Sequence, residues 1–284
     1  MYLDSHCHIF SERIIKNVGA KQAMVKALKL NVDEAMLAFR PEDLDQSARN
    51  HDIQACIILP TALPEKVLVQ NDHHYRISQE YERIIAFATL HPFMTRLEDE
   101  IQRSFNKGIK GFKFSSFSQR FDVRSVEVDF MLKTIQRIGE KNNIIPVVVF
   151  DTFCKADLGF GADSNHLTTP DRLAEIYKKH SGINFVGAHM GGLAADFSDL
   201  QKYLKPAPNL FLDTSNAAHT LETWQFVEIL KIHGPSQILF GTDWPWFKHN
   251  EEIPLIKSLL LRAGYTEDDC DQVFIGNASN LIKE

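Results

Sequence analysis

Residues 145–151 read IPVVVFD, and this stretch decides the fold. A β-branched run with no polar residue cannot be a strand with one wet face. It has the pattern of a strand covered on both faces, as in a parallel sheet between helices. The run stops on a carboxylate, Asp151. Working outward, short apolar runs recur at Tyr2–His6, Ala55–Leu59, Ile84–Leu90, Ile109–Phe114, Phe185–Ala188, Leu210–Asp213 and Ile238–Phe240, which with Ile145–Phe150 makes eight. Amphipathic stretches lie between them. RLEDEIQRSFNKG (96–108) opens on acids and closes on Gly108, a helix stop. TPDRLAEIYKKHSG (169–182) carries an N-cap at Thr169, Pro170 at the first helical position and Gly182 at its end. Strand followed by helix, repeated along the chain, predicts a parallel α/β architecture.

Eight units favour a closed (β/α)8 TIM barrel over an open doubly wound sheet. So does the placement of reactive side chains at run ends: Lys113, Asp151, His189, Asp213 and Asp243 each close or follow a different run. Closure of the last run on the first brings Asp243 beside His6 and His8. No linker or low-complexity segment interrupts the rhythm, so residues 1–284 form a single domain. The longest connection, about residues 10–53, reads as helical in parts (AKQAMVKALKL, DEAMLAFRPEDLDQSARN). A helical insertion of that size after the first strand either covers a site at the strands' C-terminal ends or is a packing decoration.

Composition narrows the function. Lys and Arg number 31 against 37 Asp and Glu, a net charge of −6, so nothing favours nucleic acid or an acidic membrane surface. No apolar run is long enough to span a bilayer and no signal peptide is visible. Four cysteines lie far apart without a CxxC pair, the usage of reduced thiols in a cytoplasmic protein. Cys56, in an apolar run, is expected to be a small buried residue. A small-molecule substrate is the expected partner, and a homo-oligomer is compatible with the sequence.

The chemistry begins in LDSHCHIF, residues 3–10. If this is a strand, Asp4, His6 and His8 share one face and Cys7 the other. Two imidazoles on one face, with a carboxylate from a neighbouring strand, suit one borderline divalent metal ion, with Zn expected, and leave a position for water. Lys113 alternates with Phe112 and Phe114, so it faces the barrel interior, as a cation for a substrate carboxylate or an internal acid. Asp213, in LFLDTSN, supports the site or makes a local turn bond. Trp244, Trp246 and Phe247 follow Asp243 and are expected to stack on a planar substrate or to dry the site, with Trp244 and Trp246 as substrate-binding candidates. His219 and His249 follow the last two runs, and one of them is expected to line the pocket.

DSHCHIF, VGAHMGG and ILFGTDWPW, at the first, sixth and eighth runs, together resemble the motifs of the amidohydrolase superfamily. The match is to its "amidohydrolase 2" branch, which includes aminocarboxymuconate-semialdehyde and resorcylate-type decarboxylases. The resemblance implies a barrel with a divalent metal at its C-terminal mouth. It makes His6 and His8 ligands, Asp243 a ligand and proton-handling group, and His189 the residue that polarises water or substrate. One position departs from that pattern: the family's fifth-strand histidine falls on Phe150. Asp151, one residue later, substitutes as a ligand if a strand-end bulge turns it inward.

Three readings of function follow. The leading one is a metal-dependent hydrolase that attacks a small, carboxylate-bearing ester, amide or lactone with metal-activated water. The alternative is a metal-dependent decarboxylase of a planar acid. The third is a non-catalytic barrel whose metal site has degraded at Phe150.

Overall fold

The computed structural model describes residues 1–283. Each of the eight apolar runs carries a strand. They are β1 (Tyr2–Cys7), β2 (Ile53–Ile58), β3 (Ile84–Ala86), β4 (Ala88–Thr89), β5 (Gly111–Phe114), β6 (Val147–Phe150), β7 (Asn184–Gly187), β8 (Leu210–Asp213) and β9 (Ile238–Leu239). β3 and β4 are two halves of the third run, interrupted at Phe87, whose ring turns into the barrel interior. Gly111 makes room for it: a Cβ there would lie 2.1 Å from the Phe87 ring.

All neighbouring pairs are parallel, in the order β1-β2-β3 and β4-β5-β6-β7-β8-β9. The last run returns to the first through Ser5 N to Phe240 O (2.9 Å), Asp243 N to His6 O (2.9 Å) and His8 N to Trp244 O (2.8 Å). A parallel bridge also links Cys7 and Trp244. These bonds close the TIM barrel.

Alternation along each strand sorts the core into two shells. Leu3, Ile57, Phe87, Val147, Val149, Val186 and Leu239 fill the interior, and Ala278 and Leu281 of the C-terminal helix (Asn277–Lys283) close its floor. Val148 and Phe150 point the other way, into the shell under the helices, where Phe150 lies 5.4 Å from Phe114 and 6.4 Å from Phe185 between ring centroids. The expected helices form at Leu97–Asn106 and Pro170–Lys179. Gly108 takes a φ of +79° just past the first, as its stop. Thr169 does not cap the second through a backbone N–H. Its hydroxyl donates instead to Asp171 (2.5 Å).

The insertion folds as four helices, Glu12–Gly19, Gln22–Leu28, Val32–Leu37 and Pro41–Asn50. Side chains from the first two wall a cavity at the strands' C-terminal ends, so the insertion covers the mouth. No described helix is long and apolar enough to cross a membrane.

Two histidines are folded into the helical layer without charge. Burial pushes His74 down to about 3, and burial with Lys205 pushes His233 to about 4. A depressed histidine pKa means the unfolded chain binds the proton first. Stability is therefore full above the ordinary value near 6.5 and falls as pH drops toward 4, by about 1.4 kcal/mol per pH unit for each group. Denaturant titrations of His233→Leu at pH 7, 6 and 5 should show a shallower acid loss than the parent, since the leucine has no proton to gain. Parallel pH profiles would mean that His233 is already protonated in the fold.

Candidate active site at the barrel mouth

The first strand does not keep simple parity. Asp4 pairs with Cys56 and Cys7 with Ile58, so three steps on β1 oppose two on β2. This is a one-residue bulge. It turns Asp4 and Cys7 to the outer face and leaves His6 and His8 facing the mouth, correcting the shared face expected for all three polar residues.

Asp4 becomes a clamp behind the site. Its Oδ1 accepts from the backbone N–H of His6 and of Thr242, both at 3.0 Å. Its Oδ2 accepts from Thr242 Oγ1 (2.5 Å) and His249 Nε2 (3.0 Å). One carboxylate thus ties the strand that carries His6 to the turn that carries Asp243. Burial works against charge on His249, yet its bonds to Asp4 and Cys56 push it up to about 9, so the pair is ionic. Cys7, Cys56 and His249 gather here within 4.8 Å, but the polar atoms of Asp4 and His249 already have partners, including Ser47 on His249 Nδ1 (2.8 Å).

On the inner face the tautomers are set by the hydrogen bonds. His6 Nδ1 donates to Asp213 Oδ2 (2.8 Å) and His8 Nδ1 to the Leu59 carbonyl (3.1 Å). Both Nε2 atoms are then unprotonated acceptors that face each other at 3.1 Å, with the Lys113 ammonium 3.4 Å from that of His6. Asp243 Oδ1 completes the triangle, 3.3 Å from His8 Nε2 and 3.8 Å from His6 Nε2. Three lone pairs converging without a proton between them repel unless a cation sits among them. The edges match those of a tetrahedral ion with ligand bonds of about 2.1 Å, for which donors lie about 3.4 Å apart. The donor set therefore fits a divalent metal. Burial and Lys113 hold His6 down at about 4 against the pull of Asp213, so it is neutral and free to coordinate. Burial would raise Asp243, but the neighbouring imidazoles of His8, His189 and His6 keep it below the ordinary value.

Asp213 and Ser215 organise the back of this triangle. Besides His6, Asp213 accepts from His189 N (2.9 Å), Ser215 N (3.2 Å) and the Ser215 hydroxyl. Despite burial, His6 and these donors hold its carboxyl well below the usual carboxylate range. His189 Nδ1 bonds to the Ser215 carbonyl (2.9 Å), which leaves Nε2 for the cavity. Lys113 is fully buried on β5, and among the described residues its ammonium contacts only His6 Nε2, at 3.4 Å.

These groups form one end of a cavity of about 640 Å³. His8, Lys113, Asp151, His189, Asp243 and Trp246 line it. Asp151 falls outside the clusters of converging donors. Phe150 faces outward, so Asp151 is the residue of that strand end at the mouth, but its Oδ1 accepts from Phe153 N (3.1 Å). Trp244 is not in the wall. It is 1% exposed and packs in the outer shell. His219 and His249 are also away from the cavity: His219 Nε2 pairs with Glu252 (2.7 Å) and stacks on Phe247.

The sequence reading passed over Asn216 and took Ser215 only as a turn partner of Asp213, a bond the structure shows. Asn216 lines the cavity at 1% exposure, with Oδ1 lacking a partner. Its φ of +55° joins those of His189 (+56°) and Asp243 (+65°). Such φ values outside glycine cluster at functional sites. The available signal was an Asn, tolerant of that conformation, three residues past a strand-end Asp.

The fold and cluster together define a TIM-barrel protein with a histidine–carboxylate cluster at its C-terminal mouth whose donor set fits a divalent cation. The chain belongs to the amidohydrolase family, an enzyme family whose model matches residues 4–283. No curated protein matches it significantly. Among solved structures it is similar to a dihydroxybenzoic acid decarboxylase from a Polaromonas species with bound manganese and the inhibitor 2-nitroresorcinol. Identity there is 17%, covering 100% of this chain and 97% of that one, with a TM-score of 0.70. A 5-carboxyvanillate decarboxylase from Novosphingobium aromaticivorans, also with manganese, gives 15%, 100%, 97% and 0.70. A TIM-barrel protein from Bordetella bronchiseptica gives 15%, 99%, 98% and 0.68. At these identities the likeness shows the fold.

Proposed function

We propose that this chain is a metal-dependent decarboxylase of a small, hydroxylated planar acid, in place of the hydrolase that led the sequence reading. The observation that carries it is Lys113. A buried ammonium without an acidic partner, beside a site for a dication, leaves the floor short of negative charge. The buried carboxylates there are Asp213 and Asp243, and Asp151, half-buried at the mouth, bonds Phe153 N rather than Lys113. A substrate carboxylate supplies the missing charge. The decarboxylase names of the structural neighbours support the same reaction.

His6 Nε2, His8 Nε2 and Asp243 Oδ1 would hold the metal. When bound, it supplies Lewis acidity that stabilises negative charge on the substrate. Manganese in the neighbours makes Mn as reasonable a choice as Zn. Lys113 binds and orients the carboxylate. His189 Nε2 hydrogen-bonds the same end, and Asn216 Oδ1 accepts a ring hydroxyl. The bond from ring carbon to carboxyl breaks, CO₂ leaves, and the electron pair remaining on the ring carbon takes a proton that Asp243, a carboxylate at rest, relays from solvent. The apolar walls exclude bulk water from that carbon.

Metal-loaded protein should release CO₂ from members of a hydroxybenzoate panel. No CO₂ from any acid, with hydrolysis of an ester or lactone panel, would restore the hydrolase. Asn216→Ala should raise KM about tenfold for the hydroxylated acid, the scale of one buried hydrogen bond, and leave its unhydroxylated analogue unchanged. An equal effect on both would remove Asn216 from hydroxyl recognition.

A further inference from the structure

The cavity has two chemically distinct ends. The charged groups described above occupy one. Away from them, Val18 of Glu12–Gly19, Met24 and Leu28 of Gln22–Leu28, and Phe153 and Phe160 beyond β6 form an apolar wall, while Arg120, Asp163 and His166 also line the cavity. Phe117 joins the two phenylalanines, with ring centroids 5.5 Å from Phe160 and 6.0 Å from Phe153. Met24, Leu28 and Phe153 belong to one packed cluster, so the wall is a built surface. We infer that this lobe is a subsite for an apolar substituent on the substrate, so that the acid carries an alkyl or aryl tail beyond its carboxylate-bearing ring.

The inference rests on the proposed reading for the identity of the head group. The occupant follows from continuity: the lobe opens into the same cavity whose floor holds Lys113. Whatever fills it is joined to a group that answers that cation. A single small ring at the charged end would leave the walls from two insertion helices facing water. An apolar tail removes that exposure. A cavity of about 640 Å³ lies in the range that encloses ligands of more than one ring.

Metal-loaded protein is titrated calorimetrically with benzoate and with 3- and 4-alkylbenzoates from methyl to butyl. Each added methylene should lower Kd about fourfold in the better-fitting series. Met24→Trp and Val18→Phe, which fill the lobe from different helices, should flatten the series. Benzoate binding with no gain from either series overturns the subsite and leaves the decarboxylase reading standing. A steep series that both variants leave untouched also overturns it. A steep, variant-sensitive series in a protein that releases no CO₂ from any acid supports the subsite and removes the decarboxylase.

Discussion

His8→Ala is expected to weaken metal binding by more than about hundredfold, since losing a ligand costs at least as much as losing the groups that orient one. His6→Ala and Asp243→Ala should do the same. Metal per chain, measured after dialysis against a weak chelator, reads the effect. His8 is the cleanest probe of the three, because among the described residues its only hydrogen-bond partner apart from the converging donors is the Leu59 carbonyl. Removing His6 also takes a donor from buried Asp213, so part of its effect comes through the fold. Asp243 lies between: its backbone N–H holds the His6 carbonyl whatever its side chain is. Reconstitution should therefore be tried with both Zn and Mn on each variant. Undiminished metal content in all three would show that the converging lone pairs are not a metal site.

The barrel was legible because its signal is local. An apolar run such as PVVVF needs no partner to be read as a doubly covered strand, and helix stops such as Gly108 announce themselves. His6, His8 and Asp243 were legible for a related reason: once eight runs imply closure, the first and last strands must be neighbours. What pairing decides was not legible. The β1 bulge depends on register against β2, and it moves Asp4 from the site to the clamp behind it. Trp244 and Trp246 are two residues apart and look equivalent, yet the turn sends Trp244 into the outer shell and Trp246 to the cavity. Phe150 and Asp151 illustrate the same limit, because which of them faces the mouth depends on strand parity. Asn216 carries no motif at all. Only burial of its unpartnered oxygen beside the cavity marks it.

Lys113→Met should move metal and substrate in opposite directions. In the present arrangement the ammonium lies 3.4 Å from His6 Nε2, and as a donor it answers one of the converging lone pairs. A dication bound there meets a like charge at close range in a buried setting, where such repulsion is strong. Methionine keeps the length and apolar stem and removes the charge. Metal affinity should therefore rise, by about tenfold or more, since even 1.4 kcal/mol of relieved repulsion is a factor of ten. The metal-free protein should lose thermal stability, because His6 and His8 are then left facing each other with no donor between them. Substrate binding should suffer. Without the cation that answers its carboxylate, kcat/KM should fall about 10²–10³-fold, the loss expected for a buried charge-assisted hydrogen bond of roughly 3–4 kcal/mol. Titration of metal and of benzoate on the same variant reads both signs. Weaker metal binding would make Lys113 a supporting donor for the site rather than a competing charge. Unchanged kcat/KM on every decarboxylated acid would place the substrate's carboxylate elsewhere in the cavity.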